Sequence, residues 1–159
     1  MMKKNLKKGV LIAAGVAAGI ALCKKIKKET KNLKRQPRSA EEFKTAAIQK
    51  GYKITKLESP DKNITESFVA ANETGEFKIF YKVFADSETA KEFFKRSTVN
   101  FEKQAESMSE YNGFTFNSLK VNNKGIYKCV SRIENTCIDF NMDSKYRNNA
   151  DELLGELGY

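Results

Sequence analysis

Between Ser39 and Tyr159 the spacing of apolar residues changes several times, and each change marks an element. Phe43, Ala46 and Ala47 recur at helical spacing behind Ser39-Ala-Glu-Glu42, a capping box, and Gly51 supplies the C-terminal stop. Lys53–Glu58 reads as a short strand, and Ser59-Pro60-Asp61-Lys62 as a β-turn with Pro at its second position. Glu66–Ala71 and Glu76–Phe84 read as two strands joined by Asn72-Glu-Thr-Gly75, which predicts a hairpin. Asp86-Ser87 caps a long helix, Glu88 to Ser107. Its inward stripe is Ala90, Phe94, Ser97, Phe101, Ala105 and Met108, with Phe93 beside it. Phe114–Val121, Ile126–Ile133 and Thr136–Met142 are three further strands, with turns at Asn122–Gly125 and Glu134-Asn135. A last helix, about Ala150 to Leu157, carries Leu153, Leu154 and Leu157.

The order is αβββαβββα. Short connections favour antiparallel pairing. The expectation is a two-layer α+β domain, an antiparallel sheet of about six strands with helices on one face, behind an N-terminal membrane helix. The helix ends Ala40-Glu-Glu-Phe43…Gly51-Tyr52 and Ala150-Asp-Glu-Leu153…Gly158-Tyr159 are alike. Duplication of an αβββ unit explains that likeness, and so does helix capping alone.

Ahead of the domain, Gly9–Cys23 runs fifteen residues without a charge. As a helix it is about 22 Å long, against a hydrocarbon core of about 30 Å. Three readings compete. An uncleaved anchor uses Val10, Leu11, Ile12, Gly15, Val16, Gly19, Ile20 and Leu22 as its lipid-facing and packing residues, with flanking lysines snorkelling outward. A signal peptide has small residues at Gly19 and Ala21, but Lys24, Lys25, Lys27 and Lys28 follow at once and oppose translocation. A lipoprotein signal ends at Cys23, where Leu22 stands in place of the small residue a lipobox needs. Gly15 and Gly19 form a GxxxG spacing that brings two membrane helices close, although any Ala/Gly-rich run contains one. The chain thus divides into a membrane segment 1–23, a basic linker 24–38 and an α+β domain 39–159.

Charge sharpens this division. The first 38 residues hold twelve Lys/Arg against one acid, Glu29, a net of +11. Ser39–Tyr159 holds the other seventeen basic and nineteen acidic residues, a net of −2. The +9 total therefore describes a tail, which excludes a basic nucleic-acid-binding domain. The implied partner of the tail is a lipid bilayer. Lysines flank both ends of the apolar run and are denser after it; counted literally, the positive-inside rule keeps the domain cytoplasmic.

The search for chemistry is short. With no histidine, His-based triads and most zinc sites drop out. No phosphate-binding, dinucleotide or nucleophile-elbow motif occurs. Ser59-Pro-Asp-Lys62 matches SxxK, but Pro60 puts it in a turn. Glu41/Glu42 and Asp151/Glu152 are paired acids in first helical turns, where they favour the helix dipole. No catalytic, cofactor-binding or metal-binding residue is assigned. In the last hairpin, pairing Ile133 with Thr136 sets Cys137 opposite Arg132 and Cys129 opposite Phe140. The two sulfurs then lie on opposite faces, so no disulfide forms between them. Arg132, Glu134, Asn135 and Thr136 make the most polar hairpin tip. Arg132, Asn135 and Thr136 with Tyr127 are the candidate partner patch, Asn135 suiting positive φ and Arg132 placed to pair with Asp139.

Three stretches, SAEEFKTAAIQKGYKIT, IFYKVFADSETAKEFF and SRIENT, resemble a loose group of small Gram-positive bacterial envelope proteins of unassigned function. Members carry a signal or lipoprotein N-terminus and a domain of this size. The resemblance implies a domain outside the cytoplasmic membrane. A non-enzymatic binding or accessory module, with an envelope protein or peptide as partner, is the first functional expectation. A carboxylate-based envelope enzyme such as a glycan hydrolase is the second. A cytoplasm-facing membrane protein with a lipid-binding basic stalk is the third.

Overall fold

The computed structural model describes residues 35–99, 101 and 105–159. The Gly9–Cys23 segment and residues 24–34 of the linker lie outside the described residues. Within the described residues the chain runs α1 (Ala40–Gln49), β1 (Lys53–Lys56), β2 (Ile64–Ala71), β3 (Lys78–Phe84) and α2 (Ser87–Thr98). It continues through β4 (Ser107–Asn112), β5 (Phe116–Asn123), β6 (Ile126–Ile133), β7 (Thr136–Asp143), a 3₁₀ turn at Ser144–Tyr146 and α3 (Arg147–Leu157). The fold is α+β. All seven strands join one antiparallel sheet in the order β1-β2-β3-β7-β6-β5-β4. Among the described residues no helix is long and apolar enough to cross a membrane.

The local signals hold where chemistry specified them. Ser39 and Glu42 close the capping box, and Gly51 takes φ +79° after α1. Gly75, at φ +72°, turns β2 into β3. The last hairpin has the expected register, with Ile133 opposite Thr136 and Cys137 opposite Arg132. Cys129 and Cys137 are free and buried on opposite faces. The turn after β1 differs: Ile64 donates to the Asp61 carbonyl at 3.0 Å, so it closes after Pro60, not around it.

Three expectations about the architecture are corrected. The long helix ends at Thr98, and Ser107 opens β4 instead. The Thr98 hydroxyl bonds back to the Phe94 carbonyl at 2.9 Å, and two β-branched residues, Thr98 and Val99, close the helix. Phe101 and Ala105 still pack on the cluster around Phe94, so the stripe identified their burial but not their backbone. Met108 sits on β4 and is 46% exposed. β4 makes the seventh strand, and the order becomes αβββαββββα. It gave no alternating signal because, at the sheet edge, it is largely exposed on both sides.

The second correction concerns the layers. Register places Phe68, Tyr81, Ile138, Cys129 and Phe116 on one face, the front, where they pack with Phe43, Ala47, Leu153 and Leu154 of α1 and α3. Phe84, Cys137, Val130, Leu119 and Val121 lie on the back, where Ala90 and Phe94 of α2 cover them. Helices therefore flank both faces, in three layers. The cause is topological: β3 and β4 are separated by β7, β6 and β5, so the connection through α2 crosses those strands. β6 records it as five consecutive buried residues, Cys129 to Ile133, as expected of a strand covered on both sides.

The third correction follows from the second. With an antiparallel β3/β7 pair at the centre, a two-fold relating the halves must run normal to the sheet and keep each helix on its face. α1 lies on the front and α2 on the back, so the halves are not a tandem αβββ duplication. Glycine capping accounts for the similar C-terminal ends, Gly51 and Gly158 both at φ +79°. The N-terminal ends are not alike in structure, because α3 begins at Arg147 without a side-chain cap, so Ala150, Asp151 and Glu152 lie beyond its first turn.

Candidate functional site

The four residues of the sequence-derived patch do not share a surface. Tyr127 stands on the front face near the start of β6, five residues from Arg132, or about 17 Å along a strand. Arg132 is buried on the back face. Its Nε donates to Asn117 Oδ1 at 3.0 Å and an Nη to the Glu134 carbonyl at 2.9 Å. Burial holds its pKa below the usual guanidinium value. It does not pair with Asp139, whose carboxylate meets Lys82. Thr136 points to the front, donates to the Ile133 carbonyl at 2.7 Å and bonds the Tyr159 hydroxyl. Asn135 donates its side-chain amide to the Phe84 carbonyl at 3.1 Å, and the positive φ of the turn falls on Glu134, at +49°. Arg132, Asn135 and Thr136 are each occupied by the fold.

A different juxtaposition comes from β4, which sequence reasoning missed. Because β4 is an edge strand, its outer edge has no strand neighbour among the described residues. The front faces of β4 and β5 extend beyond the cover of α3 and form the floor of an open groove of about 340 Å³. Ser107, Ser109 and Tyr111 of β4, with Lys120 and Asn122 of β5, line it beside Tyr127, Arg147 and Asp151. Asp151, on α3, is the polar centre. Its Oδ1 accepts from Lys120 Nζ at 2.8 Å and from the Tyr127 hydroxyl at 2.6 Å, and its Oδ2 lies 3.5 Å from Arg147 Nε.

Electrostatics follow from that geometry. Partial burial pushes the Asp151 carboxyl up, but bonds from Lys120 and Tyr127, with the Lys120 and Arg147 charges, outweigh it and hold the group below the usual carboxylate value. Burial, then the bond to Asp151, holds the Tyr127 phenol above its ordinary value. A carboxylate already accepting two hydrogen bonds and paired with a second cation is a positioned structural anion, not a proton donor near neutral pH. On the back face Asp139 behaves oppositely, since burial pushes it up against the pull of Lys82. The cleft beside it, of about 400 Å³, is lined by Phe80, Ser97, Phe101, Lys128 and Asn141 among others, with no second acid. Burial pushes both Cys129 and Cys137 up to about 12, which leaves two inert thiols. Among the described residues no group of three or more His, Cys, Asp or Glu is placed to hold a metal ion.

Ser59 and Lys62 of the SxxK string lie in the β1–β2 loop, where the Ser59 hydroxyl accepts from the Asp61 amide at 3.2 Å. Residues 35–38, read from sequence as the end of the linker, pack on the domain. The Arg35 backbone exchanges two bonds of 3.2 Å with the Thr115 hydroxyl, an Arg35 Nη donates to the Gly158 carbonyl at 3.0 Å, and Tyr81 donates to the Arg38 carbonyl.

No family model matches the chain. No curated protein matches it. Among solved structures it is similar to the crystal structure of a GTP-binding regulator from Thermotoga maritima, at 13% identity and a TM-score of 0.46, over 76% of this chain and 84% of that one. Identity and TM-score at that level transfer neither fold nor chemistry.

Proposed function

We propose that this chain is a membrane-tethered, non-enzymatic binding module of the cell envelope, and that its domain takes an extended peptide along the outer edge of β4. The observation that carries the binding half is the open six-residue edge beside the polar groove. A strand added there satisfies the outward N–H and C=O groups of β4. Its alternate side chains meet Ser107, Ser109 and Tyr111 on the groove side and Met108 on the other, which favours a polar residue facing the groove and an apolar one behind. The tether rests on the uncharged run and on the +11 and −2 partition of charge. The outward orientation of the domain rests on the resemblance to envelope proteins.

The carboxylate-enzyme alternative has less behind it. Glycan hydrolysis uses two acids about 5–10 Å apart, one with a raised pKa. Asp139 is raised but has no acid in its cleft, and Asp151 is lowered among cations.

Two measurements test the reading. Protease shaving of intact cells bearing a C-terminally tagged chain removes the tag while the membrane-retained mass before shaving is full length. A protected tag defeats the outward orientation, and a shortened mass defeats the anchor. A photo-crosslinking side chain at Ser109 gives a discrete adduct in those cells, and the same group at Ile48 on α1 gives none. Equal labelling from both positions, or none from either, defeats the β4 edge as the binding site.

A further inference from the structure

Phe114 is the most exposed large apolar residue among those described, at 91%. It stands at the tip of the β4–β5 hairpin, and that tip is built to hold it out. Gly113 donates to the Phe116 carbonyl at 2.8 Å, and the Asn117 amide donates to Asn112 Oδ1 at 2.8 Å. A Cβ on Gly113 would lie 2.2 Å from the buried Phe116 ring, so the turn requires glycine for close approach. The Arg35 guanidinium covers Phe116 at 4.5 Å, while Phe114, two residues earlier, stays in water.

The place of this tip in the chain gives it a direction. Thr115 is the residue whose hydroxyl holds the Arg35 backbone, so Phe114 lies beside the point where residues 1–34 join the domain. The eleven residues 24–34 carry six lysines against Glu29. Extended, they span at most about 40 Å, and their charge draws them down onto anionic headgroups. Arg35 and Arg38 continue that basic character onto the domain. A basic segment with an aromatic side chain at its end matches the two-part chemistry of interfacial membrane binding, in which electrostatics hold the segment near and an apolar ring enters the headgroup boundary.

We infer that Phe114 is a second membrane contact: its ring inserts into the interface of an anionic bilayer and docks the entry end of the domain onto the surface that holds the tether. The occupant is lipid. The inference rests on the proposed tether, and it orients the module, since the β4 edge begins at Asn112 beside the membrane and runs away from it to Ser107.

The chain contains no tryptophan, so Phe114→Trp introduces a single indole reporter at a highly exposed position. The full chain carrying this substitution is reconstituted into vesicles of phosphatidylcholine and phosphatidylglycerol. Flotation reads the tether; emission and quenching by brominated lipid read the contact. The expected result is flotation, blue-shifted emission and quenching by lipids brominated near the headgroup. Ile48→Trp, at an exposed site near the other end of the sheet, floats equally but emits as in water and is not quenched. Flotation with water-like emission from the Phe114→Trp chain overturns the contact and leaves the tether standing. Blue-shifted emission without lipid quenching means that protein, not lipid, covers the site, and overturns it too. Failure to float overturns the tether and this inference with it.

Discussion

Two hairpin tips meet at one end of this sheet, joined by a 2.7 Å bond from the Glu134 amide to the Thr115 carbonyl. The β6–β7 tip is polar in sequence, yet Arg132 is only 4% exposed and Thr136 is buried. The β4–β5 tip carries an aromatic ring, yet that ring is 91% exposed. Position in the sheet explains both. β6 and β7 lie near the centre, with helices on both faces, so even polar side chains are enclosed and must find partners. β4 is the edge, where nothing among the described residues covers the turn. Residue type predicts exposure only when the neighbours on both faces are known.

The largest test of this contrast is a change at the exposed tip that reaches inward. Gly113→Ala drives a methyl into the Phe116 ring, which is buried and stacked under Arg35. Overpacking of this kind costs about 1–3 kcal/mol, or roughly 3–6 °C of melting temperature per kcal/mol for a domain of this size. Thermal denaturation of the full chain in mild detergent measures it. An unchanged midpoint would mean the tip moves freely and its presentation of Phe114 is not built.

Arg132→Ala comes next, at about 2 kcal/mol. It leaves the Asn117 side-chain oxygen and the Glu134 carbonyl without their donor and opens a void in a covered region. If the midpoint shifts by less than the scatter between repeats, Arg132 belongs to a surface after all, and its standing as a ligand contact reopens. Thr136→Val should cost about 1 kcal/mol by removing the bonds to Ile133 and Tyr159 while keeping shape.

These residues also show what the sequence could and could not disclose. Ser39 with Glu42, Gly51 and the Ile133–Thr136 turn are local chemistry, and each predicted its feature to within a residue. The α+β class followed from the order of such signals. The side of the sheet that α2 covers depends on where β4 docks, four places from β3, and no local pattern records that. β4 itself was invisible because Ser107–Asn112 has no buried face to generate a period. The groove needs β4 as its floor, so it was hidden too. Arg132, Asn135 and Thr136 were legible as polar, but their partners, Asn117, Phe84 and Tyr159, come from other elements.

The groove places Asp151 with the enclosed tip: polar, but spoken for. Its folded pKa lies below the usual carboxylate value. A depressed carboxyl contributes stability that is complete above the unfolded value and is lost as pH falls through the folded one. The contribution of Asp151 should therefore be intact at neutral pH and disappear below about pH 4. Asp151→Asn should lower the neutral melting point modestly, because the site is part-exposed and screened. It should also flatten the descent in acid, so that the two proteins converge there. Parallel descents would mean that the carboxylate is not held by Lys120, Tyr127 and Arg147 in solution.

The smallest expected effect carries the contrast furthest. Phe114→Ser should move the melting point by less than about 0.5 kcal/mol equivalent, since the ring packs on nothing that folding protects. A stabilising or neutral result separates the ring from the turn beneath it: Gly113 and Phe116 belong to the fold, and Phe114 to whatever the end of the sheet faces. A loss of 1 kcal/mol or more in detergent would place the ring inside the folding unit. The two tips would then differ in degree rather than in kind, and the exposed aromatic would need no partner outside the chain.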